Sequence, residues 1–295
     1  MKKHLTTYAL VSLALALTTS CGEDRASIPQ YTKLAYFLWN GPANPTTNMF
    51  LAALDGSNPT PIAIPSSLSS VNLYGFSSLS IPADASFVAF IANQDVWREK
   101  ADGTSAAQLT HLGNVYWARV SPNGRKIVYN SLTGTSHQWI MNADGTGAAD
   151  LTATLPSGMT QCYDGSFSAD SSMVVFGCSG NLSNGIFLVK TDGSGLKTVW
   201  TGNTGVDFPS LTPDNSKVIS YGTFGGANGI GTVNIDGTGP TMLLPNVYEA
   251  FVLNSSLYTA CGNNNQITKS NLDGTSPTTF TNNSYRYDLF WSGGC

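Results

Sequence analysis

The sequence predicts an all-β fold, a six-bladed β-propeller whose blades are four-stranded antiparallel sheets. Three observations support this prediction. An Asp-Gly pair between two short strand-like runs recurs six times, a second turn lies about 20 residues before most of these pairs, and no helical periodicity follows the first 21 residues. Several short strands per unit, at a period of about 40 to 50 residues, are typical of a propeller.

Each Asp-Gly pair marks a hairpin between the third and fourth strands of one blade, which we call strands C and D. The stretch WIMNADGTGAADLT, from Trp139 to Thr152, shows the pattern most clearly. Glycine supplies the positive φ of a tight hairpin, and aspartate tolerates this conformation while bonding to nearby backbone. The six pairs are Asp55-Gly56, Asp102-Gly103, Asp144-Gly145, Asp192-Gly193, Asp236-Gly237 and Asp273-Gly274.

A second hairpin is predicted between the first two strands of a blade, A and B. Its clearest copy is ARVSPNGRKIVYN, from Ala118 to Asn130. Proline presets the φ of the first turn residue, and asparagine, aspartate or serine follows it. Related stretches are SLSIPADASFVAF, GSFSADSSMVVFG, PSLTPDNSKVISY and AFVLNSSLYTA.

The two ends of the chain carry complementary parts of one blade. The first unit begins at a B strand, and the chain ends in YRYDLFWSGGC, which has the character of an A strand. We therefore expect the C-terminal strand to complete the first blade and to bring Trp291 close to Tyr36. Such closure removes exposed sheet edges, which otherwise recruit aggregation partners. On this basis, residues 33–295 form one propeller domain.

SPNGRKIVYN followed by WIMNADGTGAADLT resembles the TolB-type propeller repeat, in which a Ser-Pro-Asp-Gly turn, an Asn-Ala-Asp-Gly turn and a Leu-Thr strand follow one another. The resemblance extends over the propeller domain and implies its fold. It leaves the activity open, because such repeats serve binding proteins, peptidases and lyases. The sequence departs from the pattern in the sixth unit, where LNSS replaces the proline turn. It also has about a dozen residues where TolB carries an α/β domain before its propeller.

Residues 1–20 are typical of an export signal, with MKKH as its basic start, YALVSLALAL as its apolar stretch and TTS before Cys21. The apolar run is shorter than the roughly 20 residues that a membrane-spanning helix needs. LTTSC resembles a bacterial lipobox, which implies cleavage before Cys21 and lipidation of its sulfur. Cleavage by an ordinary signal peptidase is the alternative. Gly22 implies the outer membrane by the same resemblance, and residues 21–32 are expected to be a tether.

The composition limits the range of partners. The chain has 295 residues and a formal net charge of −4, and its few Lys and Arg residues are scattered. Without a basic patch, nucleic acid is not an expected partner. Only 11% of the residues are charged, against a typical value of about 25%. Small polar residues cover the surface instead, as is common in exported all-β proteins.

The cysteines divide into one for lipid and four others. Cys162 and Cys178 lie symmetrically about the turn SADS, so strand register places them opposite each other on strands A and B of the fourth blade. This is the geometry of a cross-strand disulfide, which an exported compartment permits. Two buried thiols are the alternative. Cys261 and Cys295 are a weaker pair, because we expect them at opposite rims unless the tail folds back.

The sequence contains no recognisable catalytic, cofactor or metal motif. His111 and His137 are the two histidines after the leader, too few for a three-histidine metal cluster. There is no nucleophile elbow leading into a helix, no P-loop and no G-x-G-x-x-G after a strand. We therefore expect no cofactor, and we expect each histidine to be a surface or packing residue.

One column of residues across the blades is a candidate ligand site. When the A strands are aligned on their turns, one level of the alignment reads Ser77, Trp117, Asp164, Phe208, Glu249 and Asp288, with Asp207 one place before Phe208 and Arg119 two places after Trp117. In a propeller the A strands line the central channel, so these residues would ring one mouth. Such carboxylates and aromatic rings can bind a cation, a sugar or a basic peptide group. The alternative is structural, because acids at strand starts also accept local backbone hydrogen bonds.

These observations favour a non-enzymatic binding or scaffold protein, held at the cell envelope by lipid, with a protein or glycan as its partner. The alternative is a polysaccharide lyase or glycoside hydrolase, because paired acids about 5–9 Å apart can cleave glycosidic bonds. A third possibility is a structural lipoprotein without a small-molecule site.

Overall fold

We describe the protein from a computed structural model. The structure describes residues 28–39, 47–63, 68, 77–181, 184–202, 206–260, 268–279 and 286–288. This part of the chain is all-β and forms the antiparallel four-stranded blades of a propeller-like fold. Within it, no helix is long and apolar enough to cross a membrane.

The strands form four-stranded groups, which we number as units in chain order. Unit 1 contains β1 (Lys33–Trp39), β2 (Thr47–Ala53), β3 (Thr60–Ile62) and β24 (Arg286–Asp288). Unit 2 contains β4 (Ser77–Ser80), β5 (Phe87–Ala92), β6 (Asp95–Lys100) and β7 (Ala107–Gln108). Unit 3 contains β8 (Val115–Val120), β9 (Lys126–Thr133), β10 (Thr135–Asn142) and β11 (Ala149–Asp150).

The remaining units follow the same order of strands. Unit 4 contains β12 (Met159–Phe167), β13 (Met173–Gly180), β14 (Asn184–Lys190) and β15 (Lys197–Gly202). Unit 5 contains β16 (Asp207–Leu211), β17 (Lys217–Phe224), β18 (Ala227–Asn234) and β19 (Thr241–Pro245). Unit 6 contains β20 (Glu249–Leu253), β21 (Ser256–Ala260), β22 (Thr268–Asn271) and β23 (Thr278–Thr279).

Units 3 and 4 differ from the prediction of separate blades, because they share one eight-stranded sheet. A parallel pairing of Ser136 on β10 with Gln161 on β12 joins them. The early start of β12 at Met159 brings its first residues alongside β10. A hydrogen bond from the Ser136 hydroxyl to the carbonyl oxygen of Cys162, at 2.6 Å, holds the two strands together.

The predicted pairing between the two ends of the chain is present in unit 1. β24 runs antiparallel to β1, with Phe37 opposite Asp288 and Trp39 opposite Arg286. The C-terminal strand therefore occupies the A position of the first unit. The predicted contact between Trp291 and Tyr36 involves side chains that lie outside the described residues.

The Asp-Gly hairpins have the predicted turn chemistry. In the turn of unit 3, Asp144 Oδ1 accepts hydrogen bonds from the backbone N–H of Thr146 at 3.0 Å and from its hydroxyl at 2.7 Å, and Gly145 has a φ of 89°. These hydrogen bonds lower the pKa of Asp144. The same bonds recur at Asp102, Asp192, Asp236 and Asp273. Turn geometry therefore accounts for the repeated Asp-Gly pair.

The core lies between neighbouring units, and one of its repeated positions carries a charge-bearing residue. Three residues before each Asp-Gly pair the chain has Ala52, Glu99, Met141, Val189, Val233 and Ser270, all of which are buried. Glu99 is 1% exposed, and neither of its carboxyl oxygens has a hydrogen-bond partner among the described residues. Burial first, and the charge of Asp102 second, raise its pKa to about 7.

His137 belongs to a network that fastens strand D to strand C. Its Nδ1 lies 2.8 Å from Asp150 Oδ2, and the Thr152 hydroxyl donates to Asp150 Oδ1 at 2.5 Å. In unit 2, Asp95 occupies the position of His137, and its Oδ1 accepts the hydroxyl of Thr110 at 2.7 Å. Because the same position makes corresponding bonds in two units, the contacts of His137 are explained by the pairing of strands C and D.

The predicted disulfide between Cys162 and Cys178 is present, and the two residues face each other on β12 and β13. Both side chains are buried, at 1% and 0% exposure. The second predicted pair, Cys261 and Cys295, lies outside the described residues, as does Cys21.

Candidate functional site

The A strands of successive units lie side by side and are joined by side-chain hydrogen bonds. The backbone N–H of Val120 on β8 donates to Ser80 Oγ on β4 at 3.0 Å. Arg119 Nη1 on β8 donates to Ser166 Oγ on β12 at 3.2 Å. Residues at one level of neighbouring A strands therefore converge on a common axis. We call the end of this axis where the A strands start the mouth.

Three described residues of the mouth have a left-handed backbone, and Ser78 is one of them, with a φ of 64°. Asp164 has a φ of 58° and Phe208 has a φ of 54°. Both follow the last regular pair before a β-bulge, after Tyr163 on β12 and after Asp207 on β16. A bulge bends a strand and re-aims its side chains. Aspartate tolerates this conformation, whereas for phenylalanine it is rare and costs about 1–3 kcal/mol.

Asp164 and Asp207 form an acidic pair at the mouth. Asp164 is half-buried, and its Oδ2 accepts the backbone N–H of Phe208 at 3.3 Å. Burial and the neighbouring charge of Asp207 raise the pKa of Asp164 to about 7, although the Phe208 hydrogen bond and the charge of Arg119 oppose this. Burial also raises the pKa of Asp207. One proton can therefore reside on Asp164 near neutral pH.

Arg119 lies further along the axis and connects the acids to the rest of the channel. Its guanidinium carbon is 4.9 Å from the centroid of the Trp117 ring, within the range of a cation–π contact. Burial lowers the pKa of Arg119 to about 10, while the charges of Tyr31, Asp164 and Glu249 act in the opposite direction. Arg119 remains a cation at neutral pH.

The structure brings together six of the predicted site residues. Trp117, Arg119, Asp164, Asp207, Phe208 and Glu249 are linked by the contacts and charge interactions above. Glu249 is 1% exposed and lies at the start of β20. Asp288 and Ser77 have their backbones in β24 and β4, but their side chains lie outside the described part. The Phe208–Asp164 bond satisfies an acid near a strand start with a backbone N–H, as the structural alternative expects, but it joins the A strands of two units across 44 residues of sequence and is not a local turn bond.

Three tyrosines complete the mouth, and the sequence analysis did not find them. Tyr163 precedes Asp164, and its hydroxyl is hydrogen-bonded to Ser179. Tyr221 pairs with Asp207 across strands A and B, and its ring lies 5.6 Å from the ring of Tyr248. Burial raises the pKa values of Tyr163 and Tyr221, and the charge of Asp207 adds to both increases. Tyr221 could have been predicted from the sequence by noting which B-strand residue lies opposite the start of the A strand in each unit.

Exposed apolar side chains lie at the mouth end of unit 3 and at the start of unit 6. Leu112 (51% exposed) precedes the start of β8, Tyr116 (41%) lies near that start, Leu132 (42%) lies near the end of β9, and Tyr248 (52%) precedes β20. These are four of the five large apolar residues that are exposed in the described part of the chain. The fifth, Ile28, lines the opposite end of the axis.

A cavity of 280 Å³, which we call the axial cavity, lies at that opposite end, where the A strands turn into the B strands. Arg119 is the mouth-cluster residue that also lines it. Residues 28–31 of the predicted tether form part of its wall. Tyr31 is fixed to the turn of unit 6, because its N–H donates to Asn254 Oδ1 at 2.9 Å and Asn254 Nδ2 donates to its carbonyl oxygen at 3.0 Å.

The site offers carboxylates, aromatic rings and a buried guanidinium, and the described residues hold no group of three or more His, Cys, Asp or Glu side chains placed to bind a metal ion. The acids can attract a cation, or can exchange a proton near neutral pH through Asp164. The exposed apolar side chains at this end can contact a protein surface.

Comparison with solved structures places the chain in the class of β-propellers. A chain of the nidogen–laminin complex aligns with a TM-score of 0.64 at 12% identity, over 84% of this chain and 93% of that one. No protein-family model and no curated protein sequence matches.

Within that class the fold is TolB-like. TolB from Acinetobacter baumannii aligns with a TM-score of 0.65 at 16% identity, over 82% of this chain and 62% of that one. A putative TolB from Agrobacterium tumefaciens aligns with a TM-score of 0.59 at 14% identity, over 84% and 89% of the two chains. The chain thus spans less than two thirds of the length of the Acinetobacter protein. At these identities the likeness concerns the fold.

Proposed function

We propose that this protein is a protein-binding scaffold module that uses the mouth as its docking face. The observation that carries the proposal is the exposure of Leu112, Tyr116, Leu132 and Tyr248 at the mouth end of the A strands. Exposed apolar residues gathered on one face of a soluble domain are typical of a protein interface, where aromatic side chains often dominate the binding energy.

The partner is a protein that inserts a basic side chain into the mouth. Asp164 and Asp207 supply the opposite charge, and the tyrosines supply ring faces for a cation. The exposed apolar residues then pack against the surface around that side chain. Charge complementarity of this kind favours one partner over others and speeds association.

We propose a closed ring of six blades as the scaffold of this face. The pairing of β24 with β1 supports closure, because it joins the last strand to the first unit. The eight-stranded sheet divides into two four-stranded units at its one parallel pairing, which supports a count of six. A closed ring holds the mouth residues of different blades in fixed positions.

We propose further that the module is exported and anchored in the outer membrane by lipid on Cys21. The disulfide supports export, because such bonds persist in oxidising compartments. Incorporation of labelled palmitate in a bacterial host tests the anchor, with Cys21→Ser as the control. Equal labelling of both chains would contradict it.

Site-specific photocrosslinking tests the docking face. A photoreactive residue at Tyr248 or Leu132 is expected to capture one protein in the host envelope, and the same residue at the exposed Ala148, away from the mouth, is expected to give none. Asp164→Asn combined with Asp207→Asn should weaken the adduct at least tenfold. Docking at the mouth would be refuted if capture were equal at all three sites, or if the two Asp→Asn substitutions left it unchanged. A glycan adduct would do the same.

The acidic pair supports a second candidate function. A carboxyl group with a pKa of about 7 beside a second carboxyl group can serve as a proton donor in the cleavage of a glycan. Soluble protein assayed on a glycan panel, beside a variant with Asp164, Glu249 and Asp288 all changed to Ala, tests this. Turnover by the wild type that the variant lacks would replace the scaffold by an enzyme.

A further inference from the structure

The axial cavity is built as an apolar chamber with a defined wall. Its lining includes large apolar side chains from A strands of several units, namely Leu79, Phe167, Leu211, Phe251 and Leu253. The volume of 280 Å³ is just below the range of roughly 300–1,000 Å³ that is typical of small-molecule pockets. The two hydrogen bonds between Tyr31 and Asn254 fix the wall that the N-terminal segment contributes.

The charges that line the axial cavity have one sign. Among its described lining residues, Arg119 and Lys33 are basic and none is acidic. The acids Asp164, Asp207 and Glu249 do not line the cavity and belong to the mouth, from which the charges of Asp164 and Glu249 act on Arg119. The chain as a whole has a net charge of −4, so a cavity lined by basic residues stands out.

Arg119 is suited to recognise a carboxylate. Its half-buried guanidinium is fixed by the hydrogen bond to Ser166 and by the stack on Trp117. A guanidinium presents its N–H groups in a planar fork that matches the two oxygens of a carboxylate. Charge interactions are stronger in such a partly desolvated place than in water. Lys33, exposed on β1, adds a second positive charge at the rim.

We propose that the axial cavity binds a small molecule with an apolar body and a single carboxylate. The carboxylate lies against Arg119 with Lys33 nearby, and the apolar body lies among Leu79, Phe167 and Leu211. This site shares Arg119 with the mouth cluster, but it lies at the opposite end of the axis from the docking face and selects the opposite charge.

Calorimetric titration with three compounds of one shape tests the proposal. The compounds are 4-phenylbutyrate, 4-phenylbutan-1-ol and 4-phenylbutylamine, used with the folded soluble chain. The carboxylate is expected to bind at least tenfold more tightly than the alcohol, and the amine is expected not to bind. Equal affinity for the carboxylate and the alcohol, or no binding of the carboxylate, would overturn the proposal.

Matched variants locate the binding. Ala169→Phe, which fills the cavity at the A–B turn of unit 4, should abolish binding of 4-phenylbutyrate. Ala148→Phe, on an exposed loop, should leave it unchanged. Lys33→Gln should weaken it severalfold by removing the charge at the rim. Unchanged affinity in Ala169→Phe would refute the location. Tyr248→Ser should alter docking at the mouth and leave this titration unchanged, which separates the two proposals.

Discussion

At the scale of single residues, Phe208 holds an unusual conformation for its type. A β-carbon in the left-handed region is strained, and such residues persist where the surrounding structure fixes them. The conformation brings the Phe208 N–H to Asp164, which has a left-handed backbone itself. Strain at two successive A-strand starts therefore assembles the acidic end of the channel.

The acidic pair predicts a titration near neutral pH. Because the charge of Asp207 raises the pKa of Asp164 to about 7, Asp207→Asn is expected to lower the pKa of Asp164. Carbon-13 NMR of the aspartate carboxyl groups measures the pKa of Asp164 in the wild type and in the variant. Asp192 serves as an internal reference, because hydrogen bonds from Ser194 lower its pKa. An Asp164 pKa that is unchanged by the substitution would show that Asp207 does not act on it.

Glu99 predicts a pH-dependent loss of stability. Its pKa is 4.5 when unperturbed and about 7 in the folded chain, so between these pH values the folded state holds a proton that the unfolded state has released. Stability therefore falls as the pH rises through this window, by about 3 kcal/mol in total. Asp102 is the charged group that acts on Glu99, and the facing strands β5, β2 and β3 carry no titratable residue.

Glu99→Met places at this position the residue that unit 3 has as Met141. We expect the free energy of unfolding to increase by about 3 kcal/mol more at pH 8 than at pH 4.5, because only the ionised carboxyl is penalised. Urea unfolding at the two pH values measures this, and Met141→Glu should produce the reverse pattern. An equal gain at both pH values would mean that packing, rather than ionisation, sets the cost of Glu99.

At the scale of elements, the A–B hairpin of unit 4 is fastened covalently. The disulfide between Cys162 and Cys178 closes a loop across 16 residues of sequence. For a loop of this size, the loss of unfolded-chain entropy stabilises the fold by about 3 kcal/mol. The double variant Cys162→Ala and Cys178→Ala should lose that amount in urea unfolding. Wild-type protein in reductant should match the variant, and a variant as stable as the oxidised wild type would contradict this role of the disulfide.

Local turn chemistry could be predicted from the sequence, whereas the shape of the mouth could not. Each Asp-Gly hairpin is fixed by residues within four positions of each other. The Cys162–Cys178 pairing depends on one turn and on the bulge between Tyr163 and Ser166. The bulge at Phe208 opposes its local preference, so nothing in the sequence indicates it. The burial of Glu99 at an otherwise uncharged repeat position depends on contacts between distant segments. The same is true of the tyrosines that B strands and loops contribute to the mouth.

At the scale of the whole molecule, the pairing of β24 with β1 predicts that the last strand is needed for integrity. A chain ending after Tyr285 lacks this strand and would leave an edge of β1 open to pairing with another molecule. We expect a lower melting temperature and self-association in size-exclusion chromatography. A chain ending after Ser292 is the control, since it retains β24. Identical behaviour of the two chains would show that closure contributes little.

The joining of units 3 and 4 affects how the molecule opens. Units 2 and 3 are joined by two backbone hydrogen bonds, from Ala83 to Pro122 and from Val115 to Gln94, but within the described residues only units 3 and 4 share one sheet, and they also contain the disulfide. They should therefore behave as one cooperative block, whose amides exchange with deuterium last. Partial unfolding then begins in the other units, which leaves the sheet from β8 to β15 as the most persistent remnant under proteolysis.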